Sequence, residues 1–199
     1  MSLYFETIQL KDGELLNLDF HQQRFQRTRR REMGLRTHPF LDEVITVPGG
    51  LEHGVFRCRL IYGKEIERIE YEPYKRKDIQ SLKLIQATDI SYAFKYLNRN
   101  ELEELYLQRG VCDDILIVHR GYISDTSYAN IIFFDGKTWI TPDTPLLPGT
   151  MRASLIAEGK ISAARITPDD LNGFQRARLI NALNNLNDGP EISMDAISW

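Results

Sequence analysis

The chain is poor in cysteine and histidine. Two cysteines in 199 residues, Cys58 and Cys112, are too few for a disulfide framework. Both lie in strand-like apolar stretches, so buried thiols in a reducing compartment explain them better than a bridge. The four histidines, His21, His38, His53 and His119, show no metal-ligand spacing, and no metal is expected. No apolar run is long enough to span a bilayer. MSLYFETIQL has no basic region ahead of an apolar stretch, so a secretory signal is not expected either and the cytoplasm is the expected compartment. There is no G-x-G-x-x-G, no Walker A sequence, no internal repeat and no low-complexity tract. A large charge of one sign is also missing. Lys and Arg number 25 against 28 Asp and Glu, a formal net charge of -3, which argues against nucleic acid as the partner. What is there is 42% hydrophobic and 27% charged, the composition of a soluble globular chain with a real core.

Strand signals outnumber helix signals. LYFETIQL partly alternates, Asp12-Gly13 makes a turn, and ELLNL follows as a second strand. Asp19 is placed to cap a helix running to about Met33, with Gly34 as its stop. That helix carries Arg24, Arg27, Arg29, Arg30 and Arg31, a run that the acidic total favours reading as a solvated face. GVFRCRLIYG is a strand on which Arg57 and Arg59 share one face, and KEIERIEY returns antiparallel to it. Two such arginines suit a carboxylate site, and equally an exposed face with paired charges. EPYKRKDIQS is polar and reads as a linker near residues 72–80.

Beyond the linker, LKLIQA is a strand, and a helix capped by Asn98 or Asn100 runs through Gln108. Hairpins turn at Arg120-Gly121 and Asp135-Gly136. A helix starts after Gly149 and runs from about Thr150 to Glu158, TPDDL signals another start, and RARLINAL is a late strand. With hairpins dominant and no βαβ alternation, the class is α+β.

Three features point to chemistry. In SYAFKYLNRN, Lys95 stands among Tyr92, Ala93, Phe94, Tyr96 and Leu97. Apolar neighbours desolvate an ammonium and favour the neutral, nucleophilic amine. The alternative is a lysine whose stem lies on apolar surface with its head in water. In PGTMR, a glycine precedes a helix start, where free N–H groups and the positive dipole end suit a phosphate. With a carboxylate able to pair with a protonated ring nitrogen, these are what pyridoxal phosphate requires.

The order and spacing of these pieces resembles the class IV, or fold-type IV, aminotransferase family, which includes branched-chain aminotransferases, D-amino-acid aminotransferases and aminodeoxychorismate lyases. The resemblance covers nearly the whole chain. FETIQLKDGELLNLDFHQQRF is similar to the early strand, turn, strand and H-x-x-R helix, and KYLNR to the K-x-L-N lysine segment. DDILIVHRGYISDTSYANIIFF is similar to the segment ending T-E-G-S-x-x-N, and LLPGTMR to the L-x-G-I-T-R loop. The resemblance implies that Lys95 is the Schiff-base lysine and that Arg24 grips the cofactor phosphate. It implies that the amides of Thr150 and Met151, after Gly149, form the phosphate loop, that Leu147 packs on the pyridine ring, that Asn130 closes the T-E-G-S-x-x-N match, and that Asn181 lies on a further phosphate-side loop. Asp125 falls where the family has a glutamate facing the ring nitrogen, and Thr126 replaces a usual glycine. The chain also starts almost at F-E-T, where the family has an earlier strand and a Gly-Asp-Gly turn.

The expectation is therefore a two-lobed α+β enzyme of the D-amino-acid aminotransferase-like fold, with a small N-terminal lobe over residues 1–75 and a larger cofactor-binding lobe over 76–199. The family pattern implies a homodimer with pyridoxal phosphate between lobes. Phe5-Glu6-Thr7 and Lys95-Tyr96-Leu97-Asn98-Arg99 resemble the aminodeoxychorismate lyases more than the branched-chain enzymes. The expected reaction is elimination of pyruvate from 4-amino-4-deoxychorismate to leave 4-aminobenzoate for folate synthesis, with Arg57, Arg59 and Thr7 on the substrate. The alternatives are a transaminase of branched-chain or D-amino acids with 2-oxoglutarate, and a non-catalytic relative.

Overall fold

The computed structural model describes residues 2–199. The chain divides into two units. The first holds the residues up to Arg76 together with Phe94–Asn98, and the second holds Lys77–Ala93 and Arg99–Trp199.

In the first unit, β1 (Tyr4–Lys11), β2 (Glu14–Leu15), α1 (Leu18–Met33), the single turn α2 (Leu41–Val44), β3 (Val55–Tyr62) and β4 (Ile66–Pro73) follow in order. The strands form an antiparallel sheet in the order β2-β1-β3-β4. β1 alternates in the sense expected: Tyr4, Glu6, Ile8 and Leu10 are buried on one face. Ile8 and Leu10 pack with Phe25 of α1 and with Cys58, Leu60 and Tyr62 of β3. The Phe25 ring meets the Tyr62 ring edge-on at 4.7 Å. This packing fixes which face of α1 looks at the sheet, and the buried face carries His21, Arg24, Phe25, Thr28 and Arg29.

α1 begins one residue before Asp19, which lies in its first turn instead of capping it; there its charge suits the positive end of the helix dipole. Gly34 closes the helix in the left-handed region, at φ 70°, with its N–H on the Arg29 carbonyl. The arginine run does not form one solvated face. Arg24 and Arg29 are buried, while Arg27, Arg30 and Arg31 are exposed.

Residues Phe94–Asn98 run beside the start of β1. Tyr96 pairs with Tyr4, the Phe5 amide donates to the Lys95 carbonyl at 3.0 Å, and the Leu97 amide donates to the Leu3 carbonyl at 2.8 Å. The hydroxyls of Tyr4 and Tyr96 both donate to Glu32 at the end of α1, at 2.9 and 3.2 Å. Lys95 is thus held at backbone level by the strand that carries Glu6.

In the second unit, β5 (Leu82–Gln86), α3 (Asn100–Tyr106), β6 (Asp114–His119), β7 (Tyr122–Thr126), β8 (Asn130–Phe134), β9 (Trp139–Pro142), α4 (Thr150–Ala157), β10 (Ile161–Ala164), β11 (Arg176–Ile180), β12 (Glu191–Ser193) and β13 (Ile197–Ser198) follow. α3 gives way at Leu107 to a 3₁₀ turn, and TPDDL also forms only a 3₁₀ turn. One sheet has the order β13-β5-β6-β7, with β5 parallel to both β13 and β6. The other runs β10-β9-β8-β11-β12. The β6–β7 hairpin turns on Arg120 and Gly121, both at positive φ, the geometry of a tight two-residue loop. β8 reads NIIFF without polar alternation because both of its faces are covered. Ile131 and Phe133 join the core with Leu116, Val118, Ile123 and Leu179. Ile132 packs instead with Leu155, Ile161 and Ile180, under α4. β7 and β8 are joined by three residues, which brings Asp125 at the end of one beside Asn130 at the start of the other.

Candidate functional site

In the first unit the site is a buried charge cluster. Glu6 and His21 have no exposed surface and Arg24 is 7% exposed. One Glu6 oxygen accepts from Arg24 Nε at 3.0 Å. The other accepts from Arg24 Nη2 at 2.5 Å and from His21 Nδ1 at 2.6 Å. Burial alone would raise the Glu6 carboxyl, but the Arg24 charge and the hydrogen bonds of His21 and Arg24 outweigh it and hold the group at about 2. Glu6 is therefore ionised, and His21 Nδ1 carries the proton it donates. Burial lowers His21 below its usual range. Glu6 opposes that, and the charges of Arg24 and Lys95 reinforce it, so the imidazole is neutral at pH 7.

Lys95 is half-buried. Its Nζ stands 4.7 Å from the centre of the Phe5 ring. The Arg59 guanidinium carbon lies at the same 4.7 Å from that ring, so the two cations are at most twice that distance apart. Thr7 faces Arg59 directly across the β1–β3 ladder. Arg59 and Arg57 differ in their surroundings. Arg57 makes a close ion pair with Glu72 on an exposed part of the sheet. Arg59 has only a 3.8 Å approach to Glu70, whose carboxylate is taken by Arg68 at 2.6 Å. The Arg59 Nε is buried without a hydrogen-bond partner.

In the second unit the site is a carboxylate held by neutral donors. Asp125 is 6% exposed. Its Oδ1 accepts from Asn130 Nδ2 at 2.7 Å and its Oδ2 from the Leu147 amide at 2.9 Å. Burial pushes this carboxyl up to about 6, against the Leu147 and Asn130 hydrogen bonds and the more distant Arg152 charge. Asn130 Nδ2 also donates to the Leu147 carbonyl at 3.0 Å. These bonds join β7, β8 and the loop leading to α4. Gly149 then begins α4, with Thr150 buried and Met151 packed on the Ile132 cluster. The glycine is required by space: a Cβ there would sit 2.0 Å from Asn130 Oδ1. Asn181 does not share these bonds. It exchanges backbone hydrogen bonds with Asn184, and its Oδ1 accepts from the Leu183 amide at 2.9 Å.

The family profile described as amino-transferase class IV matches residues 3–188. The chain belongs to the class IV aminotransferase family. An uncharacterised protein of Haemophilus influenzae is 38% identical over 184 residues, which span 92% of this chain and 98% of that one. A solved structure from Haemophilus somnus, named a "putative 4-amino-4-deoxychorismate lyase", is 34% identical with a TM-score of 0.88, covering 94% of this chain and 98% of its own. The pyridoxal-phosphate-bound form of a hypothetical aminotransferase from Mycobacterium tuberculosis shares the fold at 18% identity, with a TM-score of 0.78 over 96% of this chain and 80% of its own. The architecture is that of the fold-type IV enzymes, and the chain is a pyridoxal-phosphate-dependent enzyme of this family.

Sequence reasoning named Lys95, Arg24 and Asp125 but gave Glu6 and Phe5 no role. A signal for Glu6 was present. It occupies the buried face of an alternating strand, where a carboxylate needs a cation, and His21 and Arg24 sit three apart on the next helix.

Two outcomes follow from this geometry. Gly149→Ala should destabilise the protein by about 1–3 kcal/mol, because Asn130 has to leave its place. In an Asn130→Ala background most of that cost should vanish, which a double-mutant cycle in urea would read. The second concerns acid. The Glu6 carboxyl is lowered from its usual 4.5 to about 2 on folding. Its stabilising contribution is complete above pH 4.5 and is lost as pH falls towards 2, on the order of 3 kcal/mol in all. Glu6→Gln should be less stable at neutral pH and should flatten the dependence of stability on pH across that window, followed by circular dichroism in urea.

Proposed function

We propose that the chain is an aminodeoxychorismate lyase, which eliminates pyruvate from 4-amino-4-deoxychorismate and leaves 4-aminobenzoate. The observation that carries this reading over a transaminase is the 34% identity, across 98% of its length, to the Haemophilus somnus protein named for that activity. The F-E-T and K-Y-L-N-R segments support it. Folate synthesis, a homodimer and a cytoplasmic location belong to the same proposal.

The residues present fit pyridoxal phosphate. Asp125 is a buried carboxylate whose hydrogen bonds come from neutral groups, the Asn130 side chain and backbone amides of the Leu147 loop, so its negative charge is left for a protonated ring nitrogen. A cation there would also relieve the burial that pushes the carboxyl up. Arg24, with the amides of Thr150 and Met151 after Gly149, is assigned to the phosphate, and Leu147 and Asn130 to the ring side. Asn181 is assigned to the phosphate side on resemblance alone. When bound, the cofactor supplies an electron sink for charge developing on the substrate.

Lys95 is the proposed catalytic residue. It is the nitrogen that would carry the cofactor and, once released, the base that moves a proton at the substrate. Phe5 and the backbone bonds to β1 hold it in place. Arg59, with Thr7 beside it, is the proposed carboxylate-binding residue. Arg57, our other candidate, is already neutralised by Glu72 and is expected to contribute less.

Mixed with 4-amino-4-deoxychorismate and no amino acceptor, the enzyme should release pyruvate over many turnovers. Arg59→Ala should raise KM by about 10- to 100-fold, the worth of a hydrogen bond to a charged group, and Arg57→Ala by no more than a few-fold. Absence of pyruvate, with steady turnover of an amino acid and 2-oxoglutarate, would replace the lyase reading with the transaminase.

A further inference from the structure

The segment that carries Lys95 is held among elements far from it in sequence. The chain leaves the second unit after Ala93 and rejoins it at Arg99, and Phe94–Asn98 belongs to the first unit. Two of its ties are backbone bonds to the start of β1, from the Phe5 amide to the Lys95 carbonyl at 3.0 Å and from the Leu97 amide to the Leu3 carbonyl at 2.8 Å. Two such bonds lie along one line. They fix how far the segment stands from β1, but they resist rotation about that line only weakly.

The side chains supply that constraint. Tyr4 and Tyr96 are paired across the bridge, with ring centres 5.0 Å apart. Both hydroxyls donate to one atom, Oε2 of Glu32, at 2.9 and 3.2 Å. Glu32 is exposed and stands in the last turn of α1, so the carboxylate ties helix, strand and segment together at one point. The Tyr96 amide donates to the Phe94 carbonyl at 3.0 Å, which places Lys95 in the middle of a three-residue turn. Whatever fixes Tyr96 therefore also aims Lys95. β1 alternates, so Tyr4 lies on the face towards α1 and Phe5 on the other, and the Lys95 Nζ stands 4.7 Å from the centre of the Phe5 ring.

Resting on the reading of Lys95 as the nitrogen that carries the cofactor, we propose that Glu32 is a positioning residue for Lys95. By accepting from Tyr4 and Tyr96 on one oxygen, it fixes the rotation of the Phe94–Tyr96 turn and so the direction in which the Lys95 side chain leaves. Glu32 does not act on the reacting atoms. Its role is to hold the amine where it meets an incoming aldehyde, and small displacements of a reacting atom are costly in rate.

The test reads the segment and the amine separately, in full-length protein stripped of cofactor. The first measurement is hydrogen exchange at the Phe5 and Leu97 amides by NMR. Both should exchange about 10-fold faster in Glu32→Ala, while the amides of β3 and the midpoint of urea unfolding stay near those of the wild type. The second is the rate at which Lys95 captures pyridoxal phosphate, read by borohydride quenching at timed intervals and peptide mapping. Glu32→Ala should slow capture by about 10-fold or more. Glu32→Gln keeps an oxygen able to accept from both hydroxyls and should stay within about 3-fold of the wild type. The double variant Tyr4→Phe with Tyr96→Phe should match Glu32→Ala, and adding Glu32→Ala to it should change little more. If Glu32→Ala captures the cofactor at the wild-type rate, if Glu32→Gln is as slow as Glu32→Ala, or if Glu32→Ala slows the protein lacking both hydroxyls as much as it slows the wild type, the inference is overturned while the reading of Lys95 stands. If the wild type is labelled at another lysine, the Lys95 reading falls and takes the inference with it.

Discussion

Glu6 has no exposed surface, and a carboxylate taken out of water needs donors on both oxygens. The architecture of the first unit answers that need. β1 points Glu6 at α1, Phe25 seats the helix on the sheet, and the helix turn then presents His21 and Arg24 to the two oxygens. Removing one partner would leave a buried charge uncompensated, which costs far more than the pair contributes when complete. The same strand holds Phe94–Asn98 through its backbone, so the placement of Lys95 depends on the placement of Glu6.

Asp125 in the second unit meets the same constraint differently. Its hydrogen bonds come from a side-chain amide and from backbone N–H groups, and the Arg152 charge acts only from further away. The result is a carboxyl pushed up to about 6, whereas Glu6 is held near 2. A carboxyl in this state gains from a nearby cation, which is the physical basis of its proposed pairing with a protonated pyridine. Its reach is also used structurally, since it ties the Leu147 loop to β7 and so sets where α4 begins.

Much of the site was legible because it is carried by local pattern. Lys95 among apolar neighbours, the glycine before α4, Gly34 closing α1 and the Arg120-Gly121 turn each depend on residues a few positions apart. What was not legible depends on partners distant in sequence. The register with β4 sets Glu72 opposite Arg57 and Glu70 opposite Arg59, and Arg59 is the less closely paired of the two because Arg68 takes the Glu70 carboxylate. The division of α1 into buried and exposed arginines follows from where Phe25 packs. The pairing of β13 with β5 could not be read from a two-residue strand that ends the chain. Asp19 was misplaced as a cap because helix starts are set by backbone geometry, here Asn17 in the left-handed region, as much as by side chain.

The central claim is that Lys95, held by β1 and Phe5, is the nitrogen that carries the cofactor. Borohydride reduction of the protein loaded with pyridoxal phosphate, followed by peptide mapping, tests it most directly. The account predicts a single stable label on Lys95, in the peptide containing Phe94 and Tyr96. Label on another lysine, Lys83 for instance, or no stoichiometric label at all, would contradict it.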